Sequence, residues 1–294
     1  MPTTILCDGI ACDGFIWKYL WDAIALHTPV AHFHYRGHGR SKFPVDPQRI
    51  TVPDHAADLD AIRRALGDPE VVLVGHSMGC QVVLENYRLR PEKIRGLVLL
   101  CGAPGRVTHT FKGSDALAQL LPRLIDLVER HPSIARALWG GVPPELSLRV
   151  ALALGEIDAK LMEPRDLLPY LEHMVDLDLR MFLRMLKAAG DHSAEDLLPN
   201  VAVPTLVVAA ERDSFTPPAL AEKMAKTLPH GELLVAAGTH ALPLEQRALV
   251  EGKVGEFLDR VAASASPAAG EQPSAAAASD PQQAPQPAPS SETT

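Results

Sequence analysis

The chain has 294 residues, 47% hydrophobic and 22% charged, with a formal net charge of −8; that is room for one large domain or two small ones, and the scattered basic residues argue against nucleic acid as a partner. The N-terminus has no basic stretch leading into an apolar one, and nowhere do 18 apolar residues run together, so a cytoplasmic protein with no membrane partner is expected. Four cysteines, Cys7, Cys12, Cys80 and Cys101, have no metal-ligand spacing and are expected as free thiols.

Thr3 to Cys7 reads as a short strand, and Asp8 to Gly14 as a glycine-marked loop. Phe15 to Leu26 carries apolar residues at helical spacing, with Trp17 and Trp21 on one flank and both expected in the core. Val30 to Tyr35 is a second strand, Arg36 to Ser41 a turn, and Pro53 to Leu66 an amphipathic helix with Pro53 near its start and Gly67 past its end. Then a β-branched run, Val71 to Val74, meets Gly75-His76-Ser77-Met78-Gly79, and a helical pattern continues from Cys80 to Leu89. That order predicts strand, sharp turn, helix: the middle residue is forced into a strained backbone, and its neighbours two places away must lack bulk. The pentapeptide alone is common, and the strand before it and helix after it give it weight. Ile94 to Cys101 is another continuous apolar strand, and strands apolar on both faces alternating with helices imply an α/β fold with a mostly parallel sheet covered on both sides.

The alternation then stops. Helical patterns rich in Leu and Met fill 104–191, at Asp115 to Arg130, Ser133 to Leu138, Glu145 to Leu154 and Asp166 to Ala188. This is an all-helical insertion, part of whose inner face is expected to line a pocket. Thr205 to Ala210 resumes the sheet, Pro218 to Leu228 is a helix, Glu232 to Val235 a last strand, and Leu242 to Ala262 a closing helix. The core is therefore 1–103 with 192–262, and 263–294, rich in Ala, Pro, Ser and Gln, is expected to be a disordered tail.

A serine hydroxyl becomes a useful nucleophile only when a base takes its proton, and the base works best when a carboxylate fixes its tautomer. Catalytic groups of open parallel sheets sit at the carboxyl ends of strands. After Ser77, Asp213 follows the strand Thr205 to Ala210 and His240 follows the last strand, in the order Ser, Asp, His expected of such an elbow. Asp191 and Asp196 compete with Asp213 but follow no strand. His76 is read as a packed neighbour of the elbow, His38 as a turn residue, and Cys80 and Cys101 as small buried hydrophobes; Trp139 is open between core and substrate contact.

On these residues the chain resembles the α/β-hydrolase superfamily over residues 3 to 262. Gly75 to Gly79 is similar to its nucleophile elbow, Leu206 to Asp213 with Pro217 to its acid loop, Arg36 to Ser41 to the turn after its fourth strand, and Gly9 to Trp17 to its oxyanion loop. The insertion stands where that family carries its cap, or lid. The resemblance implies Ser77 as nucleophile, His240 as general base and then acid, Asp213 as its orienter, and the backbone N–H groups of Ile10 and Met78 as the oxyanion hole. It implies acyl transfer to water through an acyl-enzyme, with no metal or cofactor.

Three positions depart from the family pattern. Asp8 stands where the family usually has His, and a carboxylate aimed at a developing oxyanion would oppose catalysis, so Asp8 must point away or be tied down by hydrogen bonds. His34 replaces a common Asp, a change of local packing. Only Met1 and Pro2 precede Thr3, so the first two strands of the usual fold are missing, the sheet order becomes 4-3-5-6-7-8 in the family's strand numbers, and the strand from Val30 is an open edge. Either the native start lies upstream or a partner covers that edge, as in a dimer. The expected activity is a serine hydrolase cleaving carboxylic esters or lactones of small to medium apolar molecules. The same triad also serves thioesterases, C–C hydrolases and perhydrolases, and a non-catalytic ligand-binding protein of this fold is the alternative from another class. The sequence leaves the physiological substrate and the oligomeric state open.

Overall fold

The structure, a computed structural model, describes residues 1–265. β1 (Thr3–Cys7) leads through a 3-10 turn at Phe15–Trp17 to α1 (Leu20–Ala25) and β2 (Val30–His32). α2 (Val52–Ala65) begins with a capping box in which the Thr51 hydroxyl and the Asp54 carboxylate each accept from the other residue's backbone N–H. β3 (Val71–His76), α3 (Met78–Leu89) and β4 (Ile94–Leu100) follow. The chain then runs through α4 (Ala116–Arg130), α5 (Pro132–Gly140), α6 (Pro144–Ala153), α7 (Leu168–Asp176) and α8 (Leu179–Asp191) before β5 (Thr205–Ala210), α9 (Pro218–Thr227), β6 (Gly231–Ala236), α10 (Leu242–Glu245) and α11 (Arg247–Ala265).

All six strands pair in parallel, in the order β2-β1-β3-β4-β5-β6, the order expected. Alternate side chains build two cores. Ile5, Leu73, Leu97 and Val207 face α3 and α9, while Leu6, Val72, Val98 and Leu206 face α1 and α11. Such two-sided burial is why these strands read as unbroken apolar runs. β1 is the sole strand paired with β2 among the described residues.

The helical insertion leaves and re-enters the sheet layer at one point. Gly105 and Ser193 form an antiparallel bridge, the Arg106 N–H donates to His192 O at 2.9 Å, and the Ala194 N–H donates to Pro104 O at 2.9 Å.

Several expected elements differ. The strand from Val30 stops at His32 rather than Tyr35, because its partner β1 ends at Cys7 and Leu6 already pairs with His32. The helix expected over Phe15 to Leu26 breaks after Trp17, which lets Trp17 bury at 2% exposure. Trp21 falls on the outer face at 37% exposure rather than in the core. The helix expected over Asp166 to Ala188 splits at Leu177, whose backbone is extended, and Asp178 caps α8 by accepting from the N–H groups of Arg180 and Met181. The closing helix breaks at Gln246 and reaches Ala265 instead of Ala262. The rest of the expected tail, 266–294, lies outside the described residues.

Candidate active site

Ser77 sits between β3 and α3 with φ 55° and ψ −120°, a backbone that L residues rarely adopt. Its neighbours explain why the motif needs glycines. A Cβ on Gly75 would collide with the backbone of Gly79, and one on Gly79 with the carbonyl of Cys7. The strain at Ser77 is held by close strand–helix packing, and the Ser77 N–H donates to Leu100 O at 3.0 Å on β4. Met78 opens α3, so its N–H is one of the helix's four unpaired donors. Across from it, the loop after β1 brings Gly9 so close that a Cβ there would lie 3.1 Å from Cβ of Ser77. Neither the Ile10 nor the Met78 amide donates a hydrogen bond among the described residues.

Asp213 and His240 meet in the loops after β5 and β6. His240 Nδ1 donates to Asp213 Oδ2 at 2.8 Å, which leaves Nε2 as the acceptor of the neutral ring. The other bonds to Asp213 fix it: Oδ1 accepts from the N–H groups of Phe215 and Thr216, both at 2.9 Å, and Oδ2 from the Thr216 hydroxyl at 2.8 Å. Burial pushes this carboxyl up, but the His240 ring and the Thr216 bonds outweigh it and hold it below the usual carboxylate range. His240 is tied to the elbow by His76, whose Nε2–H donates to His240 O at 3.0 Å and whose ring lies 5.0 Å from the His240 ring. Burial drives His76 down to about 3, so it stays neutral. His76 thus ties the elbow to the His240 loop as a neutral, buried ring. Asp191 and Asp196 pair instead with Lys187 and Arg88 at the surface.

The carboxylate of Asp8 is fully buried. Trp17 Nε1–H donates to its Oδ1 at 2.6 Å, His32 Nε2 bonds its Oδ2 at 2.8 Å, and the Tyr35 hydroxyl donates to its backbone oxygen at 3.0 Å. The residue is therefore tied down, as the expectation required. His34 is a packing residue: Nε2 donates to Asp13 O at 3.2 Å, and Nδ1 accepts from the Arg40 N–H at 3.0 Å. All four cysteines are buried as free thiols.

The sequence reading missed two contributors. His32 is one, and its signal was a histidine in an apolar strand beside the strand that delivers Asp8. The other is Glu245, 5% exposed, which accepts from the Thr239 N–H, from the Thr239 hydroxyl at 2.8 Å and from the Asp158 N–H at 2.8 Å. It thereby ties the loop that carries His240 to the insertion. The segment Glu156 to Asp158 also grips the acid loop: Arg212 pairs with Asp158 at 2.5 Å and the Ser214 hydroxyl donates to Glu156 at 2.5 Å.

One phenylalanine ring lies against the histidine and a second packs behind it. Phe215 lies 4.9 Å from the His240 ring, and Phe111, from the start of the insertion, lies 5.1 Å from Phe215. An apolar cavity of about 610 Å³ lies within the insertion, lined by Leu124, Val128, Ile134, Leu138, Trp139 and Met174 among others. None of its lining residues is Ser77, Asp213, His240, Ile10 or Met78. Trp139 lines that cavity and donates to Met174 O at 2.7 Å. Among the described residues, no group of three or more His, Cys, Asp or Glu side chains could hold a metal ion.

A family model described as alpha/beta hydrolase fold matches residues 2–132, and one described as TAP-like protein matches residues 184–266. The chain is 33% identical to a polyketide synthase, ThaQ, of Burkholderia thailandensis over 88% of this chain, which spans 12% of that protein's length. It is 26% identical to a protein of Serratia proteamaculans named as a carbamate hydrolase, RutD, over 82% of this chain and 85% of that one. Among solved structures, a thermophilic esterase from Thermogutta terrifontis superposes with a TM-score of 0.69 at 23% identity, covering 89% of this chain and 90% of that one.

Proposed function

The chain belongs to the α/β-hydrolase superfamily, and within it we propose that the protein is a serine hydrolase that cleaves carboxylic esters or lactones of small to medium apolar molecules. The observation that carries this reading is the assembly at the carboxyl ends of β3, β5 and β6. Ser77 stands on a strained elbow whose preceding residue, His76, donates to the backbone oxygen of His240, and the Nδ1–H of His240 is committed to the buried Asp213. Ser77 attacks the carbonyl carbon while His240 Nε2 takes its proton. The imidazolium formed is stabilised by Asp213 and then protonates the leaving alkoxide, and water activated by His240 releases the acid. The oxyanion of each tetrahedral intermediate falls to the N–H groups of Ile10 and Met78. Each such donor is worth roughly 3 kcal/mol where water is excluded.

The ring of Phe215 beside His240, backed by Phe111, supports an uncharged, apolar substrate, since a charged group set against it would lose its hydration without a partner. A second reading, the same chemistry on a thioester of a polyketide-like acyl chain, is favoured by the match within a polyketide synthase.

A panel of p-nitrophenyl esters, lactones and acyl thioesters tests both readings. The first predicts turnover of apolar esters or lactones that Ser77→Ala reduces by at least about 10³-fold. Turnover confined to thioesters would favour the second. Turnover that survives Ser77→Ala, or a steep preference for charged substrates, would contradict the assignment.

A further inference from the structure

We propose that His32 is a positioning residue of this reaction: its contact with the Asp8 carboxylate compensates that buried charge and keeps the oxyanion loop free of uncompensated negative charge. The inference rests on the serine-hydrolase reading and deepens it.

Asp8 directly precedes Gly9, the residue packed on Ser77, and lies two residues before Ile10, whose N–H faces no other partner. A carboxylate with no exposed surface at that place needs a compensating charge, because burying it unpaired is costly and its field falls on the atom where negative charge develops. Trp17 supplies a hydrogen bond to Oδ1 but no charge. Among the described residues, His32 is the one cationic-type group in contact with the carboxylate, at 2.8 Å.

The two neighbouring histidines differ in their hydrogen bonds. His34 uses both ring nitrogens, with Nδ1 accepting the Arg40 N–H and Nε2 bonding Asp13 O. His32 uses only Nε2, and its ring retains 14% exposure. Its Nδ1 makes no hydrogen bond within the described residues, so water can take a proton's hydrogen bond there. Parallel pairing of β1 with β2, with Leu6 opposite His32, fixes the two side chains together as the strands end. The pair therefore acts through position and charge, without touching the substrate.

The test is the rate at which a fluorophosphonate modifies Ser77, read by intact and peptide mass in the wild type and in His32→Gln, Asp8→Asn/His32→Gln and His32→Lys. Glutamine retains a donor but no charge. It is expected to slow modification about 10- to 50-fold, as an uncompensated charge at the oxyanion loop would. Removing the carboxylate as well is expected to bring the rate back to within about threefold of the wild type, and lysine to fall between the wild type and glutamine. A His32→Gln rate equal to that of the wild type, or no recovery in the double variant, would overturn the proposal. If His32→Gln does not fold, the double variant decides: recovery of fold and rate supports charge compensation, and a slow or unfolded double variant contradicts it. A wild type that takes no adduct would contradict the serine-hydrolase reading itself, a different outcome from an adduct that forms at the same rate in every variant.

Discussion

Asp213 shows how much a single carboxylate does at this site. Two backbone N–H groups and a hydroxyl hold it while it receives the Nδ1–H of His240, so its negative charge and its orientation are both fixed before any substrate arrives. Asp213→Asn keeps the shape, but its amide can present an N–H to Nδ1 and select the wrong tautomer. We expect kcat to fall about 10³- to 10⁴-fold with little change in KM, checked by steady-state kinetics on the best ester. A loss under tenfold would mean that His240 is oriented by other groups. The meeting of Asp213 with His240 was legible in the sequence because each follows a strand, and a parallel sheet collects such positions at one end. Asp8 was legible as a problem, and its solution was not. His32 is 24 residues away and becomes a neighbour only through strand register, whereas motif spacing reports local geometry.

At the level of elements, the elbow and the histidine loop are held by different means. The elbow is held by close packing: Gly79→Ala drives a Cβ into the Cys7 carbonyl and should cost more than about 2 kcal/mol, seen as a drop in the urea midpoint, or prevent folding. The histidine loop is held by Glu245 with three hydrogen bonds, one of them reaching into the insertion at Asp158. Glu245→Ala leaves those buried donors unpaired. It is expected to lower stability by about 2–4 kcal/mol and kcat by roughly tenfold or more, measured by chemical denaturation and ester turnover. Unchanged turnover in the folded variant would show that the loop holds its shape alone.

The elements themselves were readable where one local rule dominated. The run Val71 to Val74 into two glycines allows one structure, and the Thr51–Asp54 box starts α2 where Pro53 predicts. The split between α7 and α8 was hidden because Leu and Met continue at helical spacing through Leu177. The deciding feature is Asp178, a residue equally at home on a helix surface, whose side chain prefers to cap.

For the molecule as a whole, the buried histidines set the response to acid. Burial drives His38 down to about 4 and His55 and His76 to about 3, against an ordinary value near 6.5. Their folded values lie below their unfolded ones, so the unfolded chain binds more protons between about pH 6.5 and 4. The stability that these rings contribute is full above that window and lost as pH falls through it. Each ring costs at most about 1.4 kcal/mol per pH unit there. Thermal melts should therefore show Tm falling steeply below pH 6. His55→Phe should flatten the slope, since His55 packs against Tyr35 with neither ring nitrogen hydrogen-bonded. A Tm flat from pH 7 to 5 would contradict this.

The sheet order and the run of helices between β4 and β5 were legible as a pattern of apolar runs. The cavity inside the insertion was not. Its walls come from five helices, α4 to α8, whose relative placement depends on packing across the whole segment rather than on any one helical face.

The central claim is that Ser77 is activated by His240. It is tested most directly by treating the full chain with a fluorophosphonate and mapping the adduct by peptide mass spectrometry, alongside Ser77→Ala and His240→Ala. The account predicts one adduct per chain, on Ser77 in the wild type, absent in Ser77→Ala and slowed at least about 10³-fold in His240→Ala. A folded wild type that takes no adduct, or one modified equally fast without His240, would contradict it.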